Sequence, residues 1–195
     1  VQRILHDLRS AIMKDSVTEI DMLLQQLGKT PFLNREKPTP LDEAMSIIFY
    51  LRYVYYDSLG ELYRKIKNSF GTDHFTPPHD IFQLGFWPGG DRDGNPFVTA
   101  EITYKVAQEL HISILKSYYE HLKNLRRRLS FRGISEVLEV LSHELYDAIF
   151  KEDNITANHI LSRISAAAKI LTEQHNGLFK NLLEDFKDRV RMFGT

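Results

Sequence analysis

A short stretch near the middle of the chain differs in composition from the residues on either side of it. Residues 86–99 read FWPGGDRDGNPFVT, so two prolines and three glycines accompany three charged residues and an asparagine. Glycines let a backbone approach a ligand closely, and the planar guanidinium of Arg92 matches a carboxylate or a phosphate. The candidate site is the loop formed by Gly89, Gly90, Asp91, Arg92, Asp93, Gly94, Asn95 and Pro96. In it Arg92 would bind the anion, and the flanking carboxylates would hold the guanidinium in place.

The same residues have a purely structural interpretation. Asp91 or Asp93 could hold the Arg92 guanidinium, and Asn95 could tie the loop to its own backbone. Residue types alone therefore leave both interpretations of the loop open.

Other kinds of site fit the sequence poorly. If Asp91 began a calcium loop, Pro96 would stand where the turn glycine belongs and Ile102 where the bidentate glutamate belongs. No Lys-Ser/Thr pair follows the glycines as in a P-loop, and no Ser-His-Asp or Cys-His arrangement supports nucleophilic catalysis. The eight histidines show no metal-ligand spacing, and the arginines at 126–128 point in three directions on a helix. No metal site is predicted.

The stretch is predicted to lie between two long helices. A 3.6-residue hydrophobic period runs through the chain on both sides of it. Thr39 followed by Pro40 predicts the start of one helix, and Thr99 is predicted to cap the next. The sequence therefore predicts an all-α fold of six or seven helices without a sheet, and one long ordered Gly/Pro-rich loop over residues 71–98.

Two finer expectations concern individual elements. Ser16 with Glu19 has the spacing of a capping box at the start of the second helix. An aromatic cluster in the helix after Thr39 is predicted to be core, since large rings at helical spacing usually pack between helices. Its members are Phe49, Tyr50, Tyr53, Tyr55 and Tyr56.

Composition excludes several classes of protein. The 195 residues carry a net charge of -1, which provides no field for nucleic acid or an anionic membrane surface. Cysteine is absent, so disulfides and thiolate metal sites are excluded, and a cytoplasmic location is expected. No apolar run is long enough to span a membrane. The helical pattern already under way at Val1 leads us to expect a piece of a longer protein.

Several motifs resemble those of one enzyme family. The run GGDRDGNPFVT at residues 89–99 closely resembles a signature of bacterial-type phosphoenolpyruvate carboxylases. KPTPLDEA at 37–44, FVTAEIT at 97–103 and DRVRMFG at 188–194 resemble further segments of the family. One departure is Pro88, which stands where the family commonly has methionine or another apolar residue. On this resemblance residues 1–195 are identified as a single helical segment from the N-terminal half of such an enzyme.

The resemblance implies a reaction for the complete enzyme. Phosphoenolpyruvate and bicarbonate give oxaloacetate, which feeds the tricarboxylic acid cycle, and phosphate, with Mg²⁺ or Mn²⁺ as cofactor. Bicarbonate attacks the phosphorus to form carboxyphosphate and an enolate, and the enolate then captures the released CO₂. The implied partners are the barrel domain of the same chain and the two substrates, and the implied assembly is a homotetramer.

The family's histidine motif, metal carboxylates, arginine loop and catalytic lysine are all expected outside residues 1–195. The segment alone is therefore expected to be inactive, with residues 89–96 approaching the active site from the helical side. An alternative is a helical interaction module that keeps the fold without carboxylase activity. The two hypotheses differ in whether the histidine motif and a barrel accompany this segment.

Overall fold

The computed structural model describes residues 2–30, 37–69, 77–92, 95–151 and 153–195. Its α-helices are α1 (Gln2–Met13), α2 (Val17–Lys29), α3 (Pro40–Tyr50), α4 (Tyr56–Ser69), α5 (Ala100–Arg128), α6 (Ile134–Phe150), α7 (Ala157–Gln174) and α8 (Lys180–Phe193). A π-helical turn, Leu51–Tyr55, joins α3 to α4 without a break, and His79–Ile81 form a 3-10 turn. The described residues thus form seven continuous helices without a strand, which confirms the predicted all-α class.

The chain divides into two compact units, Val1–Pro38 and Thr39–Thr195. In the N-terminal unit α1 packs against α2 across a tight turn, in which Asp15 takes the left-handed conformation. On α1 the side chains of Ile4 and Ala11 are buried, whereas those of Leu5 and Ile12 are exposed.

In the C-terminal unit the long helix α5 packs against α3, α6 and α8, and α7 lies between α6 and α8. Leucine and isoleucine side chains at helical spacing on α5, α6 and α7 form the core together with Phe186 of α8. Burial of such side chains is the main stabilising contribution in a helical domain of this size. The core therefore fixes the positions of α4, α5 and α8, the three helices that carry the polar contacts described below.

Threonine residues cap three of the helices. The hydroxyl of Thr39 accepts a hydrogen bond from the Asp42 amide, and the Asp42 carboxylate accepts one from the Thr39 amide at 2.9 Å. Thr99 accepts from the Ile102 amide and Thr156 from the His159 amide. The predicted caps at Thr39 and Thr99 are confirmed. The Thr39 hydroxyl also donates to the Asp42 carboxylate at 2.6 Å, and this hydrogen bond, together with the one from the Thr39 amide, holds the pKa of Asp42 below its usual value.

The predicted capping box at Ser16 is wrong. Ser16 does stand at the N-cap of α2, but its side chain makes no capping hydrogen bond. Its ψ of 87° differs from the 160° of Thr39 and the 163° of Thr99, both of which are extended. Because capping requires an extended N-cap backbone, the Ser16 hydroxyl is not aimed at the helix amides.

The N-cap positions Thr39 and Ser16 give a matched pair of substitutions. Thr39→Ala is expected to lower the free energy of unfolding by about 1 kcal/mol, since it removes a capping hydrogen bond. Ser16→Ala removes no such bond and is expected to change that free energy by less than about 0.5 kcal/mol. Urea denaturation of both variants, followed by far-UV circular dichroism, measures the difference. Equal losses in the two variants would contradict this interpretation of the caps.

The aromatic cluster predicted as core lies mostly on the surface. Tyr56 is buried, but Phe49, Tyr50, Tyr53 and Tyr55 are exposed. The buried face of this continuous helix is instead formed by Ala44, Ile48, Tyr56, Gly60 and Tyr63. These residues recur at a spacing of three, four or eight, so the rings between them point away from the core. The prediction is wrong because it counted aromatic residues without following the helical face.

Candidate functional site

The motif loop, residues 87–98, begins with a tight turn. The amides of Gly90 and Asp91 both donate to the Trp87 carbonyl, at 2.9 Å and 3.0 Å. Pro88 and Gly89, the two central residues of this turn, are buried, whereas Trp87 is 67% exposed. Pro88, the one departure from the family pattern, is therefore buried at the base of the loop.

Gly89 is the point at which the loop is fixed to α5. The Thr103 hydroxyl donates to the Gly89 carbonyl at 2.7 Å. The φ of Gly89 is +76°, and a Cβ added there would come within 2.7 Å of the Val106 side chain. Left-handed geometry and this close approach both require glycine. The base of the loop is thus held by two side chains of α5, Thr103 and Val106.

Gly89→Ala is expected to lower the free energy of unfolding by about 2 kcal/mol, because it adds backbone strain and displaces Val106. Gly85→Ala is the matched control, since a Cβ there meets nothing within 4 Å, and the expected change is below about 0.5 kcal/mol. Chemical denaturation measures both, and the fluorescence of Trp87, the only tryptophan, reports on the loop. A control variant as unstable as Gly89→Ala would refute the argument.

The second half of the motif loop is held by its own backbone and by Asn95. The Asn95 side-chain oxygen accepts from the Phe97 amide at 3.1 Å, and its carbonyl accepts from the Val98 amide at 3.2 Å. Val98 is buried, and Thr99 then caps α5. The role predicted for Asn95 in tying down the loop is consistent with these two contacts.

The tip of the motif loop is exposed. Gly90, Asp91, Arg92, Asn95 and Pro96 all lie at the surface. Asp93 and Gly94 of the predicted set lie outside the described residues. Among the described residues no carboxylate forms an ion pair with Arg92. The guanidinium therefore faces solvent from a loop whose base is buried.

The structure brings Asp91 and Arg92 of the predicted loop together and adds two residues of α5 that hold the base of the loop. A turn with two amides on one carbonyl carries Asp91 and Arg92 to a common exposed tip. An exposed guanidinium on an anchored backbone is suited to binding an anion. Sequence reasoning missed Thr103 and Val106, although both follow Thr99 at the spacing of one helical face.

A second polar cluster joins α8 to α4 within the C-terminal unit. Arg189 is buried, and its guanidinium donates to the Tyr56 carbonyl at 2.6 Å and to the Asp185 carboxylate at 3.1 Å. It also contacts Asp57 and lies 4.9 Å from the centre of the Tyr56 ring. Gly60 leaves space for it, since a Cβ there would overlap the guanidinium. The DRVRMFG segment is thus fixed to α4 by its own arginine.

Asp188, the residue before Arg189, is also buried and contacts two basic side chains. Its carboxylate accepts from Lys67 at 2.7 Å and lies 3.0 Å from the His79 ring nitrogen. The His79 ring stacks on Tyr63, whose hydroxyl donates to the Pro77 carbonyl. These contacts hold the chain that leads into the motif loop. They give His79 a structural partner rather than a metal-binding one.

His121 of α5 lies beside the Arg189 cluster. Its ring stacks on Phe186 with 4.8 Å between centroids, and its Nδ1 lies 3.3 Å from the Tyr56 hydroxyl. Burial, with the nearby positive charge of Arg189, lowers the pKa of His121 to about 4. His121 is therefore a neutral, partly buried histidine near pH 7.

Two negative observations apply to the described part of the chain. No group of three or more His, Asp or Glu side chains there converges closely enough to hold a metal ion. No described helix combines the length and apolarity needed to cross a membrane. These residues do not fit a divalent-metal site, so no metal-dependent step is assigned to them.

The described residues define an all-helical segment with a glycine-rich loop that carries Arg92 at an exposed tip. A family model described as phosphoenolpyruvate carboxylase matches residues 2–194. The chain therefore belongs to the phosphoenolpyruvate carboxylase family.

Individual relatives of the chain are also named phosphoenolpyruvate carboxylase. The chain is 31% identical over 165 residues to a phosphoenolpyruvate carboxylase of Prochlorococcus marinus, an alignment that covers 80% of this chain. It is 32% identical over 148 residues, or 71% of this chain, to that of Shewanella loihica. It is 33% identical over 135 residues, or 62% of this chain, to that of Trichormus variabilis. No solved structure gave a significant match.

The matches cover only a small part of each relative. The aligned region is 16% of the length of the Prochlorococcus and Shewanella proteins and 13% of the Trichormus protein. The chain thus corresponds to a short helical portion of much longer enzymes.

Proposed function

We propose that this chain is a segment of a longer phosphoenolpyruvate carboxylase and that the motif loop forms one wall of its active site. One observation carries the proposal. In a chain that matches the family model over residues 2–194, the exposed tip with Arg92 stands on a buried, hydrogen-bonded base. A loop built in this way presents charge in a fixed position, as a binding site requires.

The substrates that the family resemblance implies are anions, since phosphoenolpyruvate carries a phosphate and a carboxylate and bicarbonate carries one charge. The guanidinium of Arg92 has the planar fork that binds such groups with two parallel hydrogen bonds. We assign Arg92 to contact with one of these anions, and Asp91 to the orientation of the loop tip. A divalent metal, when bound to the complete enzyme, would stabilise the enolate, and its ligands would come from other parts of the chain.

Location and assembly follow from the same proposal. The lack of cysteine and of a described membrane-spanning helix is compatible with a cytoplasmic enzyme. The family resemblance implies a homotetramer of the complete chain, in which the barrel domain covers the loop tip.

A coupled assay with malate dehydrogenase and NADH tests the proposal. Residues 1–195 alone, with Mg²⁺ and saturating substrates, are expected to give no oxaloacetate, whereas the complete chain is expected to give turnover. The proposal fails if the complete chain is folded and inactive. Turnover that follows the purified segment through chromatography would show that the segment is not catalytically incomplete.

A non-catalytic interaction module is the second candidate function. The exposed rings of Phe49, Tyr50, Tyr53 and Tyr55 favour it, because aromatic side chains are enriched at protein interfaces. A folded complete chain without carboxylase activity would support this candidate over the first.

A further inference from the structure

The C-terminal unit contains a cleft that is separate from the tip of the motif loop. Its volume is about 640 Å³, which lies within the range of small-molecule sites. Its walls are the π-helical turn, the chain from His79 to Phe86, the middle of α5 and the end of α8. None of the described residues from Trp87 to Pro96 lines it.

The walls of the cleft are mostly apolar and carry a few positive groups. Phe82 and Phe86 from one side face Leu110 and Ile114 of α5. The polar lining includes two arginines, Arg52 and Arg191, but Asp80 is the only carboxylate among the described lining residues. An apolar pocket with an excess of positive charge favours a ligand that has an apolar body and a negative group.

Arg52 lines the cleft from the π-helical turn and packs over the Tyr53 ring. One of its terminal nitrogens binds the Glu120 carboxylate at 2.5 Å, whereas its Nε is buried and has no hydrogen-bond partner among the described residues. Because this Nε is closed to solvent even with the cleft empty, a ligand in the cleft would meet the terminal nitrogens of Arg52 instead. Arg52 also lies on the π-helical turn, a deviation from α-helix that is frequent at functional sites.

We propose that this cleft binds a small organic monoanion, with a carboxylate-type group beside Arg52 and an apolar body against Phe82, Leu110 and Ile114. A single charge fits better than a doubly charged phosphate for two reasons. Glu120 already neutralises part of the Arg52 charge, and the apolar walls make a second charge costly to desolvate. The site goes beyond the proposed carboxylase function and does not depend on it.

Two fluorescent probes with a shared body test the proposal on residues 1–195. 8-Anilinonaphthalene-1-sulfonate carries one negative charge, and N-phenyl-1-naphthylamine has the same ring system without the charge. The sulfonate is expected to bind at one site per chain and about tenfold more tightly than the neutral amine, since one charge-assisted hydrogen bond is gained. Equal affinities of the two probes would overturn the proposal.

Three variants locate the binding. Arg52→Gln is expected to weaken the sulfonate about tenfold and to leave the neutral amine within about twofold. Ala107→Phe, at an exposed position in the cleft wall, is expected to weaken both probes about tenfold by filling the space. Arg64→Gln is the matched control, because this exposed arginine lies outside the cleft, and it is expected to change neither affinity.

Far-UV circular dichroism confirms that each variant is folded. If Arg52→Gln does not fold, Ala107→Phe and the ratio of the two probe affinities in the unmodified chain still decide the result. The proposal is wrong if sulfonate binding survives Ala107→Phe unchanged, or if Arg64→Gln weakens it as much as Arg52→Gln does.

Discussion

Replacement of Arg189 by methionine is expected to lower the free energy of unfolding by about 3–5 kcal/mol. The guanidinium is buried between α8 and α4, where it binds the Tyr56 carbonyl and the Asp185 carboxylate. Methionine matches its apolar stem but satisfies neither oxygen. The substitution would leave a largely buried carboxylate and a carbonyl without their partner. Unpaired buried groups of this kind are strongly destabilising.

Arg191 provides the matched control on the same helix. Its side chain is 42% exposed and lies 3.9 Å from Asp188, its one ion-pair partner among the described residues. Arg191→Met is therefore expected to cost less than about 1 kcal/mol. Urea denaturation compares the variants, and Asp185→Asn combined with Arg189→Met should recover part of the loss. A loss below 1 kcal/mol for Arg189→Met would show that the cluster contributes little.

The stability of the C-terminal unit is expected to fall steeply in mild acid because of His121. The folded pKa of His121 is lowered to about 4, first by burial and then by the charge of Arg189, whereas the pKa in the unfolded chain is about 6.5. Between these values the unfolded chain binds the proton and the folded chain does not. Above about pH 6.5 His121 therefore does not reduce the free energy of unfolding. As the pH falls below that value the free energy of unfolding decreases, and the loss reaches about 3 kcal/mol at about pH 4.

His121→Gln isolates this effect from the titration of the carboxylates. Denaturation at about pH 7 and about pH 5 should show that the unmodified chain loses about 2 kcal/mol more than the variant does. Arg189→Met should also raise the pKa of His121, which NMR titration of its ring protons can follow. The same pH dependence in the unmodified chain and in His121→Gln would refute this account of the histidine.

Local features of the fold were predictable from the sequence. Thr39 and Thr99 are each followed at once by a helical pattern, so capping needs only residues three apart. The same logic failed at Ser16, because the ψ angle of the N-cap depends on the turn between α1 and α2. The sequence does not show which face of the helix is buried, so the prediction that the aromatic residues from Phe49 to Tyr56 form core holds for Tyr56 alone.

Contacts between distant residues were not predictable in this way. Arg189 meets Tyr56 and Gly60 across more than 100 positions of sequence, and the clearest local sign of its role is the spacing of four from Asp185. In the motif loop the run of glycines predicts an unusual backbone, and Gly89 has a φ of +76°. Its attachment through Thr103 and Val106 appears only in the structure, and the role of Arg92 in binding an anion stays a prediction.

The kinetics of Arg92→Lys in the complete carboxylase test the central claim most directly. Lysine keeps the charge and loses the planar fork, so kcat/KM is expected to fall more than about tenfold, or about 1.4 kcal/mol of transition-state stabilisation. Arg127→Lys, at an exposed position on α5, is the control and is expected to leave kcat/KM unchanged. In residues 1–195 alone, Arg92→Lys should change the free energy of unfolding by less than about 1 kcal/mol. The claim is contradicted if Arg92→Lys unfolds the segment while kcat/KM per folded enzyme molecule stays unchanged, because Arg92 would then serve only to hold the loop together.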